Sequence, residues 1–318
     1  MSCRFMSRAR PHRPVHGRSP KLRKDQRVGQ AAAAILHACS RHVAANIDGA
    51  RRGQDPESLH QLRVGLRRLR AALPVFAALI SPDLRQEWAE RLRHLEHGVG
   101  AAREWDVLVA EIQRAADEDG DPGQLDRLLR KAVIRRARSH RQARRALKGA
   151  EIRRLMLQIN HYADGQKRGL GGAASDTWGT PLQRFARQSL DARHRKVRKG
   201  GRGIRRLDAK ALHALRIRVK KLRYVTEFFA NLWPEAMSEP YLAALRRLQD
   251  ELGMIQDAAS GRALLKALVP GRPTCLDSDL RRMSKWIARK RIHARRRLAR
   301  RWQAFEAAEV FWTSDSPG

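Results

Sequence analysis

Eighteen residues from Leu59, LHQLRVGLRRLRAALPVF, can be set over eighteen from Leu212, LHALRIRVKKLRYVTEFF: seven positions are identical, and five more exchange Val/Ile, Leu/Val, Arg/Lys twice, or Val/Phe. The offset is 153 residues and it holds without a gap, for LRHLEHGVGAAREWDVLVAEI at Leu92 falls on LRRLQDELGMIQDAASGRALL at Leu245. Asp55 falls on Asp208 under the same shift. One shift that recovers matches across about ninety residues marks a duplicated segment, with a period too long for a solenoid repeat. Each copy must then fold alike and bury its apolar face against a related partner. Each holds about four helical stretches, so the chain is expected to be all-α, as two pseudo-symmetric four-helix bundles related by a pseudo-two-fold axis.

From about Asp25 the apolar spacing is helical, and no stretch alternates β-branched residues as a strand would. Breaks fall at DEDGDPGQ near residue 120, GLGGAASDTWGTP at 169–181, RKGGRG at 198–203 and VPGRPT at 269–274. The second break splits the helical part into a first repeat of about 25–155 and a second of about 180–310, leaving 311–318 as a tail. Residues 1–24 carry eight Lys or Arg, no acid, and Pro11, Pro14 and Pro20. That mixture can bury little, and a disordered basic arm is expected.

The helix opened by Asp55 and Pro56 has two faces. Leu59, Leu62, Leu66, Leu69, Leu73 and Phe76 step by 3 and 4, the seam that buries a helix against its neighbours. His60, Arg63, Arg67 and Arg70 also step by 3 and 4, within an arc of about 80° beside that seam. The second copy repeats both faces: Leu212, Leu215, Val219, Leu222 and Phe229 form the seam, and His213, Arg216, Lys220 and Arg223 the stripe. A solvated face normally mixes signs and gains from i,i+4 pairs, whereas four like charges on one stripe repel. The charge and spacing persist in both copies while neighbours drift, Gly65 to Arg218 and Ala71 to Tyr224. A repulsion kept twice points to an anionic ligand that removes it.

The overall charge agrees. There are 67 Lys and Arg against 32 Asp and Glu, a formal net charge of +35 that concentrates polyanions, whether nucleic acid, anionic lipid or condensed phosphate. The three cysteines, Cys3, Cys39 and Cys275, form no CxxC pair and point to a reducing compartment. No stretch approaches the eighteen apolar residues of a membrane span, and AAAAIL at Ala31 is too brief for a signal segment. A cytoplasmic protein is expected.

HxxRVxxRRLRxxL at His60, HxxRxxxKKLRY at His213 and the Val99-Gly100 and Leu252-Gly253 segments resemble the CHAD domain, the conserved histidine α-helical domain. The resemblance runs from about residue 25 to 310. It implies two four-helix bundles enclosing a basic central cavity that binds inorganic polyphosphate, lined by His60, Arg63, Arg67, Arg70, His213, Arg216, Lys220 and Arg223. The sequence departs from the family pattern with Glu104 where an Asp is usual, and with Ala259 opposite Asp106; these acids are read as orienting arginines. A second pair of stripes matches under the same shift and is a further candidate for ligand contact: Arg136, Arg138, His140 and Arg144, with Arg289, Arg291, His293 and Arg297. His60 can donate one N–H to phosphate as a neutral ring, or serve a structural hydrogen bond instead.

No catalytic residue set, metal site or cofactor is expected. There is no GxxxxGK[ST] loop, GGRG at Gly200 lacks a preceding strand, and His94 and His97 lack partner ligands. Hydrolysis would need a metal held by carboxylates, of which the candidate cavity is expected to supply almost none. The expected function is non-catalytic polyphosphate binding, with association with polyphosphate granules. The competing reading is a general polyanion or DNA/RNA-binding protein using the basic surface and arm, with weak, salt-sensitive affinity. A third is an interaction protein coating a storage granule through its exposed faces.

Overall fold

A computed structural model describes residues 13–53, 55–119, 123, 125–168, 177–268 and 276–313. Helices account for nearly all of it: α1 (Val28–Arg52), α2 (Pro56–Ala72), α3 (Pro82–Asp119), α4 (Asp126–Lys148) and α5 (Glu151–Lys167), then α6 (Leu182–Gly201), α7 (Ala209–Phe229), α8 (Glu235–Leu268) and α9 (Asp277–Glu306). No strand occurs among the described residues, so the all-α expectation is met. The shift of 153 carries Pro56, which opens α2, onto Ala209, which opens α7, and Pro82 of α3 onto Glu235 of α8. α5 has no such counterpart, for only residues 307–313 are described beyond α9. Most of the three breaks near 120, 169–181 and 269–274 lies outside the described residues.

Local chemistry sets the helix ends. Asp55 accepts the Glu57 N–H at 2.7 Å and Pro56 fills the first turn of α2, while Asp208 accepts the Ala211 N–H at 2.7 Å to start α7. Gly53 ends α1 at φ 65°, a left-handed position glycine takes without a Cβ clash. The seams then pack. Leu59, Leu62, Leu66 and Leu69 of α2 and Leu212, Leu215, Val219 and Leu222 of α7 are all buried.

Two apolar cores result, and each draws side chains from both halves of the chain. The larger takes α1, α2, α5, α6 and α7 with parts of α3, α4, α8 and α9. The smaller joins Trp105, Leu108, Ile112 and Leu128 of the α3–α4 hairpin to Leu265, Met283, Trp286 and Ile287 of the α8–α9 hairpin. The halves therefore share their hydrophobic interior instead of each closing on its own. α2 lies against α7, and α3 against α8, at the seam between them.

Two boundaries differ from the composition-based expectation. Residues 13–24 pack on the body: Leu22 is buried, Val15 exchanges hydrogen bonds with the Asn46 side chain, and Arg68 reaches Gly17 O and Ser19 Oγ. The few apolar and backbone groups of this basic segment find partners that average composition cannot reveal. Residues 1–12 lie outside the described residues. At the other end, Phe311 and Trp312 belong to the core, and the Trp312 indole N–H donates to Asp191 at 2.8 Å. The body thus extends past residue 310.

Candidate functional site

Where α2 meets α7 and α3 meets α8, the helices leave a cavity of about 640 Å³. Of the first stripes, His60, Arg63 and Arg67 line it from α2, and His213, Arg216, Lys220 and Arg223 from α7. Arg70 does not line it. Its guanidinium pairs with Glu96 at 2.8 Å. The equivalent Arg223 meets Gln249 where Glu96 would stand, donating through Nε at 2.8 Å, and is steadied by Glu227 and the Tyr224 ring.

The cationic wall is short of counter-charge. Arg63 Nη1 donates to Gly100 O at 2.5 Å, and no carboxylate among the described residues pairs with it. Burial, then Arg67, lowers its guanidinium to about 10, against the pull of Glu104 and Glu96. Burial also lowers Arg216, whose nearest carboxylate, Asp257, is 4.0 Å away and whose Nε is buried with no hydrogen-bond partner. Lys220 is the extreme case: burial, with Arg67 and Arg216 beside it, brings its amine down to about 7. His60 is likewise lowered by burial and then by Arg103, so its charged form is disfavoured. His213 is oriented differently, its Nδ1 meeting Gln256 Oε1 at 2.7 Å. Like charges held out of water are stored repulsion that an anion would relieve.

The opposite wall holds what the stripes do not show. Arg103, Glu104 and Glu111 of α3, Asp250 and Asp257 of α8, and Trp286 and Lys290 of α9 all line the cavity. Carboxylates are thus present, contrary to the expectation that the cavity holds almost none, because α3 and α8 contribute their own polar faces. Glu111 is taken by Lys290 at 2.7 Å, and Lys290 sits 4.4 Å over the Trp286 ring. Burial raises both Asp257 and Asp250. Arg103 falls on Gln256 and Lys290 on Ala137 under the 153-residue shift, so a search for charges kept in both copies misses them. The spacing of Arg103, Val107 and Glu111 along one face of α3 is the signal that finds them. Among the described residues no three His, Cys, Asp or Glu converge in a metal-holding arrangement.

The second pair of stripes does not reach the cavity. Arg136 and His140 instead hold the buried carboxylate of Asp106, at 2.6 and 2.8 Å. Burial works to raise Asp106, but these hydrogen bonds outweigh it and keep the group below its ordinary value. Arg144 turns back to His140 O, and Arg138 is exposed. On α9, Arg297 pairs with buried Glu251 at 2.9 Å, while Arg289, Arg291 and His293 are exposed. Buried acids on α3 and α8 thus engage the inner members, and the outer members face water.

The CHAD domain profile matches residues 34–266. The chain belongs to the CHAD domain family. Among solved structures it is similar to the crystal structure of the CHAD domain from the plant Ricinus communis, at 29% identity and TM-score 0.79, covering 94% of this chain and 98% of that one. PptA from Streptomyces chartreusis shares the fold at 15% identity and TM-score 0.61, covering 91% of this chain and all of that one. No curated protein matches. The CHAD match contains every cavity residue contributed by α2, α3, α7 and α8, leaving outside it those of α9. No helix among the described residues of this CHAD chain is long and apolar enough to cross a membrane.

Proposed function

We propose that this CHAD chain binds inorganic polyphosphate in the central cavity, without catalysis, and thereby associates with polyphosphate granules in the cytoplasm. The observation that carries the reading is the convergence of Arg63, Arg67, Arg216 and Lys220 on one cavity, with burial disfavouring the charge on three of them. An unbranched phosphate chain supplies several oxyanions in a row and is slender enough to enter. A nucleic-acid duplex, whose major groove alone is about 12 Å wide, is not. Charge-assisted contacts to phosphate are short and strong, and each replaces a like-charge repulsion.

The test is a competition titration between long-chain polyphosphate and duplex DNA at about 0.3 M salt, where contacts to exposed cations are largely screened. Polyphosphate is expected to bind with the much lower Kd. Tighter binding of duplex under that condition would overturn the reading.

Lys220 makes the binding pH-dependent. A bound phosphate favours the charged amine, so the value near 7 in the empty cavity rises and binding takes up a proton. Affinity is then full below about pH 7 and falls as pH rises above it, by at most about tenfold per unit. Titrations from about pH 6.5 to 9 should show this fall in the wild type and a flatter profile in Lys220→Arg, which stays charged. Superimposable profiles would remove Lys220 from the ligand's contacts.

A further inference from the structure

The second half of the chain carries cations that the first half lacks. Arg195, Lys196, Arg198 and Lys199 of α6, and Arg202, Arg205 and Arg206 of the turn after it, are all exposed, with no carboxylate in the intervening sequence. The positions 153 residues earlier hold a single arginine, Arg52, and no lysine. None of these seven residues lines the cavity, so their charge serves something the cavity does not. The cover differs as well. α5 packs on α1 and its Arg153 neutralises Asp48, whereas α6 bears this uncovered basic face.

The face is ordered and directional. Arg184, Arg195 and Lys199 fall within about 60° on α6, a stripe about 22 Å long, with Lys196 and Arg198 flanking it. The following turn is pinned from α9: Arg295 donates to Arg205 O at 3.1 Å and to Leu207 O. Gly201 sits so close to Trp302 that a Cβ there would lie 2.0 Å from the ring. None of the seven cations has an ion-pair partner among the described residues, unlike Arg51, Arg70, Arg91 and Arg114 of the first half.

The chemistry narrows the partner. α6 exposes no large apolar side chain to insert into a bilayer. Its aromatic-type rings face inward, Phe185 on Phe76 and His194 on Tyr241, leaving nothing on which unpaired bases could stack. What remains is a rigid line of cations suited to a rigid line of phosphates, and a duplex presents about a dozen charges over that length. We propose that the outer face of α6 and the turn after it form a docking surface for the phosphate backbone of double-stranded nucleic acid, separate from the cavity and indifferent to base sequence.

The test replaces Arg195, Lys199, Arg202 and Arg205 together by glutamine in the full chain and measures a 30-base-pair duplex at several salt concentrations. A control removes equal charge from the exposed face of α4, as Arg138→Gln, Arg141→Gln, Arg145→Gln and Lys148→Gln. The α6 variant is expected to lose at least tenfold more affinity at about 0.1 M salt than the control, with the slope of log K against log salt shallower by about 3 to 4. Its affinity for short polyphosphate should stay within about twofold of wild type, since none of the replaced residues lines the cavity. Equal losses in the two variants would mean a diffuse field, and an unchanged duplex affinity would mean no site at all. Either result overturns the proposal and leaves the polyphosphate reading to its own titration.

Discussion

Replacing Arg63 and Arg216 together by alanine is expected to weaken polyphosphate binding by a hundredfold or more, since each charge-assisted contact contributes about 1.5 to 3 kcal/mol. Both guanidiniums line the cavity, and burial disfavours the charge on both. The same substitutions remove repulsion from the empty protein, so the apo Tm should hold or rise despite the lost Arg63–Gly100 hydrogen bond. Calorimetric titration and a melting curve on one sample check both halves of the statement. Undiminished binding by a folded double variant would move the ligand out of the cavity.

The second large effect concerns the fold. Trp312→Ala should lower Tm by about 5 to 8 °C, from a loss of roughly 3 to 5 kcal/mol. Its ring lies 5.0 Å from Tyr241 and 4.9 Å from Phe311, centroid to centroid, and 5.8 Å from His194, which also meets the Tyr241 hydroxyl at 2.8 Å. This cluster ties the end of the chain to α6 and α8, in the place where the first half has α5. Scanning calorimetry reads the shift directly. A change under about 2 °C would return residues 311–313 to the status of a loose tail.

The helices of this CHAD domain were legible because each seam repeats at helical spacing and each repeats again 153 residues on. The basic stripes that hold His60, Arg63, Arg67, Arg216 and Lys220 followed from their angle to that seam, whereas one cavity shared by both stripes was what the CHAD resemblance implied. Arg70 shows the limit of such reasoning. It keeps the angle, yet Glu96 on α3 takes its guanidinium, and a single helix cannot reveal what its neighbour presents. The same holds for Arg136 and His140, which share the stripe logic but meet Asp106. Arg103 and Lys290 were hidden for the opposite reason, because each line of the wall has only one charged copy. The ordered segment 13–24 escaped notice because Leu22, Val15 and Ser19 work through individual contacts, while composition reports only the average.

The most direct measurement is a crystal structure of the protein with polyphosphate bound at about 0.3 M salt, a condition that screens the outer faces. A chain of phosphorus density between α2 and α7, with oxygens about 3 Å from Arg63, Arg67, Arg216 and Lys220, is the predicted result. Phosphate density confined to the outer faces of α4 and α6, with the cavity filled by water alone, would contradict it.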